Sequence, residues 1–192
     1  MRNPTTHAIH DLLSSRWSPY AFDPNRAIAS DDLTVLFEAA RWTMSSYNAQ
    51  PWRYIVGVRG RSQPVWDQVF DVLVEGNRPW ATNAPVLALG LAEHNFEHNG
   101  QPNKAALHDL GAASASLTFE ATARGLVVHQ MIGIDPDKAR TAFNLPPSIE
   151  PLTGLAIGYA GGADVVDETY AKRDDRPRER KSLEDLILHG SL

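Results

Sequence analysis

Arginine side chains near both ends of the chain have the chemistry of an anion-binding site. Arg16 and Ser18 place a guanidinium and a hydroxyl two residues apart, directly after a predicted helix. Near the other end, the run R-P-R-E-R-K at 176–181 holds three arginines and a lysine. Arginine forks bind phosphate oxygens through paired, charge-assisted hydrogen bonds, so one phosphate would explain both segments. Taken alone, each segment is better explained by solvated charges.

The segment S-S-Y-N-A-Q-P-W-R-Y at 45–54 places polar side chains between a predicted helix and a predicted strand. The amides of Asn48 and Gln50 each offer a donor and an acceptor. That pair suits a ligand edge of alternating C=O and N–H groups, such as the pyrimidine ring of a flavin. Pro51 disfavours helical backbone at the residue before it, and Trp52 can anchor the strand. The alternative is a helix-to-strand turn whose polar side chains bond to their own backbone.

A third segment, H-Q-M-I-G-I-D at 129–135, joins a predicted strand to a predicted helix. Gly133 has no side chain and therefore permits close approach of its backbone to a planar ligand. A plain turn beside a buried histidine explains the same residues equally well.

Composition and motifs exclude several classes of site. The chain of 192 residues has no cysteine, so disulfides, thiolate metal sites and cysteine nucleophiles are excluded. His94 and His98 have the i, i+4 spacing of a metal pair, but the Asn, Gly and Pro around them indicate a polar loop. We therefore predict no metal site. The sequence also lacks the motifs of zinc metalloproteases, P-loop NTPases, dinucleotide-binding folds and serine hydrolases.

Charge and hydropathy limit the partners and the cellular location that we expect for the protein. The net charge of −5 and the pI near 5.8 argue against a general nucleic-acid-binding protein. No apolar run reaches the length of a membrane span, and the first residues lack the continuous apolar stretch of a signal peptide. We therefore expect a soluble, cytoplasmic protein.

Hydrophobic periodicity places the polar segments between helices and strands. Helical patterns cover 6–16, Ser30 (as the cap) to Trp42, 65–76, 103–125, 135–143 and the short amphipathic end 183–188; strand patterns cover 54–58, 84–92, 126–132 and 152–162. The run at 84–92 is almost continuously apolar, which is typical of a strand covered on both faces. Strands separated by helices, with no repeat or linker, predict one α+β domain over 1–192.

In this order and over nearly the full length, the segments resemble the nitroreductase family of FMN-dependent oxidoreductases. Six markers carry the resemblance: R-W-S at 16–18, A-A-R-W-T-M-S-S-Y-N-A-Q-P-W-R at 39–53, N-x-x-W-x-x-x-A-P at 77–85, D-L-G-A-A at 109–113, G-L-x-x-H-Q-M-x-G at 125–133 and R-x-R-K-S-L at 178–183. Each marker is modest by itself, and their shared order makes the signal specific.

The resemblance implies a three-layer α+β fold in which helices flank a central, mainly antiparallel sheet. It also implies an obligate homodimer whose terminal segments are exchanged, with two FMN sites that each use both chains. By position, the cofactor-binding residues are Arg16, Trp17, Ser18, Asn48, Gln50, Ile132, Gly133, Arg178 and Arg180. The arginines and Ser18 correspond to the phosphate and ribityl site. Asn48 corresponds to the residue that bonds the flavin ring, with Gln50 a weaker candidate, and 132–133 to the backbone near flavin N5.

One position departs from the family pattern. Many members have a basic residue two positions after the serine, close to the N1 and O2 edge of the flavin, whereas this chain has Tyr20. A neutral phenol stabilises an anionic reduced flavin less than a cation does. The departure predicts either a lower flavin potential or a replacement cation, and Arg53 is the nearest candidate in sequence.

The resemblance predicts an oxidoreductase in which FMN passes hydride from NAD(P)H, through its N5, to a small planar acceptor such as a nitroaromatic, a quinone or an enone. No catalytic side chain is required, because the cofactor performs the hydride chemistry. Three alternatives stay open. They are a flavin-binding or storage dimer with negligible catalysis, a family member with different flavin chemistry (a dehalogenase or an oxygen-driven dehydrogenase), and a structural domain without a cofactor. The sequence does not separate NADH from NADPH.

Overall fold

The computed structural model of the protein describes residues 3–190 and contains a central sheet of four strands. The strands are β1 (Trp52–Val58), β2 (Val86–Glu93), β3 (Val127–Met131) and β4 (Ile149–Gly158). Their order across the sheet is β1-β2-β4-β3, and the neighbouring pairs are antiparallel. The predicted antiparallel sheet is confirmed.

Helices cover both faces of this sheet. Within residues 3–190 they are α1 (Asp11–Ser15), α2 (Ser30–Arg41), α3 (Gln63–Val72), α4 (Arg78–Ala81), α5 (Ala106–Ala123), α6 (Pro136–Phe143), α7 (Glu168–Asp174) and α8 (Leu183–Leu186). Short 3-10 turns occupy Ser46–Asn48 and Ala163–Val165. In this part of the chain, every helix is too short or too polar to cross a membrane.

Strand β2 separates the two halves of the core. Val86 and Ala88 belong to the apolar cluster formed with α2 and α5, whereas Leu87 and Leu89 belong to the cluster formed with α3, α4 and α6. Successive side chains of a strand point to opposite faces, so a continuously apolar strand needs cover on both sides. The three-layer α+β fold predicted from the sequence is confirmed.

The start of α2 differs from the prediction. Ser30 is the first residue of the helix rather than its cap, because Ala29 takes the cap position without a side-chain bond. The Ser30 hydroxyl instead accepts a hydrogen bond from Arg61. Asp31 and Asp32 lie in the first turn, where carboxylates interact favourably with the helix dipole.

Helix α3 ends at Val72 instead of Gly76. Leu73 leaves the helix and forms an isolated β-bridge with Ile134, so long-range pairing overrides the helical pattern at this point. Helix α4 follows and was not predicted. Its four residues are too few to show a helical period.

The C-terminal segment returns to the beginning of the chain. Ala160 pairs with Phe22 in an isolated bridge, and α7 follows. At the end of α7, the Asp174 carboxylate accepts hydrogen bonds from the backbone N–H groups of Tyr20 (2.9 Å) and Ala21 (3.0 Å). These bonds hold the arginine-rich tail beside the N-terminal segment. Residues 1, 2, 191 and 192 of the predicted domain lie outside the described residues.

Candidate functional site

The two arginine segments line one cleft, which we call the arginine cleft. Its walls come from residues 16–20 and 173–180, and they comprise Arg16, Trp17, Ser18, Tyr20, Arg173, Asp174, Arg176, Arg178 and Arg180. Nη1 of Arg16 donates to Oγ of Ser18 over 3.1 Å. Guanidinium and hydroxyl donors from opposite ends of the sequence therefore converge, which is the donor set of a phosphate site.

Positive charge in the cleft is crowded and partly removed from water. Arg16 is half-buried, and this burial, followed by the charges of Arg180 and Arg178, lowers the pKa of Arg16. Burial is also the main cause that lowers the pKa of Arg178, against the opposing effect of Asp174. Because like charges destabilise one another, an anion bound between these guanidinium groups would stabilise the cluster.

Side chains at the cleft wall orient the tail arginines. Nη1 of Arg178 donates to Oδ1 of Asn3 over 2.7 Å, and its guanidinium carbon lies 5.1 Å from the centre of the Trp17 ring. Nη1 of Arg180 donates to the Glu179 carbonyl over 2.6 Å. Trp17 thus has a structural contact with a cleft arginine, in addition to lining the cleft itself.

Tyr20 closes one side of the cleft as part of an aromatic cluster. Its ring centre lies 5.3 Å from Trp80, edge-on, and 4.9 Å from His129. Nδ1 of His129 lies 2.8 Å from the Pro19 carbonyl, and burial lowers the pKa of His129. A neutral imidazole that donates from Nδ1 satisfies both observations. At this position the chain has a packed aromatic wall, and the guanidinium carbon of Arg173 lies 5.6 Å from the centre of the Tyr20 ring.

Residues 45–50, which we call the polar segment, take an unusual backbone path. Tyr47, Asn48 and Gln50 have φ angles of 53°, 52° and 47°. Residues other than glycine rarely adopt this left-handed backbone conformation, and each such residue lowers the stability of the fold by roughly 1 kcal/mol or more. A plain connection would place glycine there, so the segment keeps specific side chains at an energetic cost.

The two amides of the polar segment have different surroundings. Nε2 of Gln50 donates to the Asn48 carbonyl over 3.2 Å, and its backbone N–H donates to Oγ of Ser45 over 3.1 Å. Gln50 therefore follows the self-bonded alternative. The side chain of Asn48 is exposed and has no hydrogen-bond partner within residues 3–190. Its donor and acceptor are available to a ligand.

A buried carboxylate fixes the polar segment to α5. Asp109 is only 3% exposed, and its Oδ2 accepts a hydrogen bond from the Ser46 N–H over 3.0 Å. Its Oδ1 lies 3.0 Å from Nδ1 of the exposed His108. Since a buried charge is costly unless it is bonded, Asp109 and the turn at Ser46 stabilise each other.

Arg53 also stabilises the polar segment. Its Nη1 donates to the carbonyls of Gln50 and Trp52, at 2.9 Å each, and its Nη2 lies 2.7 Å from Oε1 of Glu97. The guanidinium ties the left-handed turn to the loop after β2 and is absent from the walls of the arginine cleft. Its role as a replacement cation stays a prediction.

Packing explains the glycine at 133. A Cβ there would lie 2.4 Å from Nδ2 of Asn77, and this same Nδ2 donates to the Gly133 carbonyl over 2.9 Å. The Val74 N–H donates to that carbonyl as well, over 3.1 Å. The side chain of Ile132 is 70% exposed. Position 132 is therefore open to a ligand, while the space beside Gly133 is filled by Asn77.

A series of contacts joins the turn at 132–133 to the arginine cleft. Asn77 contacts Gly133 and stands at the N-cap position of α4, without a side-chain capping bond. Helix α4 carries Trp80, which packs against Tyr20 of the cleft. The polar segment belongs to a different neighbourhood, the start of α5 and the loop after β2. One chain thus assembles the predicted site residues into two groups.

Comparison with known proteins shows the family of the chain. The model of the nitroreductase family matches residues 13–159. The chain belongs to the nitroreductase family. It is 36% identical, over 143 residues, to an uncharacterised 15.4 kDa protein in the ask 5′ region of Mycolicibacterium smegmatis, covering 72% of this chain and 95% of that protein.

Two other relatives carry descriptions of their chemistry. A solved structure described as an oxidoreductase containing FMN superposes with a TM-score of 0.90 at 29% identity, covering 98% of this chain and 95% of that one. The major NAD(P)H-flavin oxidoreductase of Aliivibrio fischeri is 43% identical over 51 residues, which are 27% of this chain and 23% of that protein. The predicted family is confirmed.

The sequence analysis did not single out three residues that shape the candidate site. Asn77 and Asp109 stand in the quoted family markers, but the markers do not indicate a role for either residue. Asp174 has no signal in the sequence, because its partners are the backbone N–H groups of residues 154 and 153 positions away. A buried acid such as Asp109 is recognisable only once its burial is known.

Proposed function

We propose that this nitroreductase-family protein is an FMN-dependent oxidoreductase that passes hydride from NAD(P)H to a small planar acceptor. The observation that carries the proposal is the convergence of Arg16, Arg178 and Arg180, with Ser18, in one cleft. A chain with net charge −5 concentrates cations there, and a phosphate group accounts for that concentration.

The donor set of the chain fits FMN. The arginine cleft, with Trp17 in its wall, suits the phosphate, and the available amide of Asn48 suits the polar edge of the flavin ring. The turn at the exposed Ile132 can place backbone groups beside the flavin ring, and Gly133 packs behind this turn. Gln50 stays a weaker candidate, since its amide already bonds to the turn. When bound, FMN supplies the hydride chemistry, and the protein binds and orients it.

We also propose a homodimer in which each FMN site uses both chains. Large apolar side chains are exposed on α1, after α2 and on α5, at Leu13, Met44 and Leu107. Such exposure is typical of a surface that another protein covers. The separation of the polar segment from the arginine cleft supports the same proposal, because a second chain would bring its own Asn48 toward the cofactor. A cytoplasmic location is proposed because NAD(P)H is supplied there.

Anaerobic mixing of the FMN-loaded protein with NADH or NADPH tests the activity. We expect the flavin absorbance to bleach with at least one nucleotide and to recover when a nitroaromatic, quinone or enone is added. Retention of full colour with both nucleotides would contradict the reductase and favour the flavin-storage alternative.

A further inference from the structure

Two of the five arginines that line the arginine cleft come from the end of helix α7. They are Arg173, in the last turn of the helix, and Arg176, just after it, and we call them the helix-end pair. Both side chains are exposed, and the Arg176 N–H donates to the Arg173 carbonyl over 3.3 Å. The other three arginines act on one another, because the charges of Arg180 and Arg178 lower the pKa of Arg16.

Aromatic rings hold the guanidinium of Arg173 at the cleft. Its guanidinium carbon lies 5.3 Å from the centre of the Tyr170 ring and 5.6 Å from that of the Tyr20 ring, within the range of a cation–π contact. The neighbouring Asp174 carboxylate accepts from backbone N–H groups instead of from this arginine. Within residues 3–190, neither side chain of the helix-end pair forms a hydrogen bond or an ion pair. Their N–H donors are therefore available to an anion.

The phosphate of FMN does not require the helix-end pair. A phosphate monoester offers three acceptor oxygens and carries a charge of about −1.5 to −2. Arg16, Arg178 and Arg180, beside the hydroxyl of Ser18, present three guanidinium groups with several N–H donors each. Their positive charge already exceeds the negative charge of one phosphate. The helix-end pair adds two further positive charges, and because like charges destabilise one another, its place in the cleft is explained by a second anion.

We propose that the helix-end pair binds the 2′-phosphate of NADPH, and that the protein therefore prefers NADPH to NADH. This inference rests on the proposed function, which brings NAD(P)H to the protein as its second anionic ligand. The two nucleotides differ only in this phosphate, a monoester whose charge and oxygens suit arginine forks. The adenine next to it can stack on the guanidinium plane of Arg173 or on the partly exposed ring of Tyr170. The pyrophosphate link is common to both nucleotides and would give no preference.

Calorimetry of the FMN-loaded protein with NADP+ and NAD+ measures this preference without hydride transfer. We expect the wild type to bind NADP+ about 100-fold more tightly than NAD+, because each arginine of the pair contributes a charged hydrogen bond. Arg173→Ala and Arg176→Ala should each lower this ratio about tenfold. The matched control is Arg59→Ala, which removes an exposed arginine that also contacts a ring, 4.1 Å from the centre of Trp66, outside the cleft. Its ratio should equal that of the wild type.

Competition distinguishes a 2′-phosphate site from a general attraction of anions. Adenosine 2′-monophosphate should displace NADP+ more strongly than adenosine 5′-monophosphate, which carries the same charge. Equal affinity of the wild type for NADP+ and NAD+, or the wild-type ratio in both variants of the pair, would overturn the inference. A loss of FMN affinity in Arg173→Ala as large as that in Arg16→Ala would also overturn it, because Arg173 would then bind the phosphate of FMN. Failure of both reduced nucleotides to bleach the flavin would contradict the reductase alone, since nucleotide binding is measured without turnover.

Discussion

The arginine cleft and the polar segment hold their polar groups by different means. In the cleft, charged side chains from opposite ends of the chain meet through tertiary contacts, above all the bonds of Asp174 to backbone N–H groups. In the polar segment, the backbone itself is constrained, with Asn48 in a left-handed conformation that buried Asp109 supports. Charged hydrogen bonds strengthen the binding of a ligand, whereas a constrained backbone fixes the direction in which a side chain points. We therefore expect the cleft to supply most of the cofactor affinity and the polar segment most of its orientation.

The largest effect is expected from removing a cleft arginine. Arg16→Ala and Arg180→Ala should each raise the Kd for FMN by roughly 10- to 150-fold, because each loses a charged hydrogen bond of about 1.5–3 kcal/mol. Fluorescence titration of the flavin-free protein measures this change. Arg124→Ala, which removes a surface arginine paired with Glu120 and Asp32, is the control. Unchanged affinity for FMN in both cleft variants would show that the cleft does not bind the phosphate.

In the polar segment, the larger effect should be on stability. Asp109→Ala should lower the free energy of unfolding by about 1–3 kcal/mol, because the Ser46 N–H loses its buried acceptor. Asp109→Asn keeps an oxygen at that position and should recover most of the loss. Denaturant unfolding of the three proteins checks this order. Equal stability of the alanine variant and the wild type would show that the turn does not depend on Asp109.

Salt sharpens the contrast between the two regions. Asn48→Ala should weaken FMN binding by about fivefold, the equivalent of one neutral hydrogen bond of about 1 kcal/mol, and this factor should stay constant with ionic strength. The factor for Arg16→Ala should shrink as salt screens the charges. FMN titrations at low and high salt measure both factors. If the two variants show the same salt dependence, the cleft and the polar segment do not differ in the way they bind FMN.

The smallest effect is a pH dependence at the wall of the cleft. Burial lowers the pKa of His129 in the folded protein, so the unfolded chain takes up a proton at a higher pH than the folded one. The stability that neutral His129 provides is present above the unfolded value of about 6.5 and is lost as the pH falls through the folded value. His129→Asn should flatten this part of the stability profile in denaturant titrations between pH 7 and pH 5. If the stability of the variant falls with pH as steeply as that of the wild type, groups other than His129 cause the pH dependence.

Sequence predicted the sheet and the cleft residues better than it predicted how they are held. The apolar run of β2 and the paired arginine segments carry their own signals, since burial on two faces and clustered charge are properties of composition. The left-handed backbone at Tyr47 has no such signal, because no glycine marks it. The links from Asp174 to Tyr20 and from Arg53 to Glu97 join residues 154 and 44 positions apart. Such pairs follow from the tertiary fold, which local periodicity does not specify.

The most direct test of the central claim compares FMN with riboflavin, which differs only by lacking the phosphate. The role assigned to Arg16, Arg178 and Arg180 predicts that the wild type binds FMN at least about 100-fold more tightly, since more than one charged hydrogen bond of about 1.5–3 kcal/mol is at stake. It also predicts that Arg16→Ala reduces this ratio. Equal affinity of the wild type for FMN and riboflavin would contradict the account.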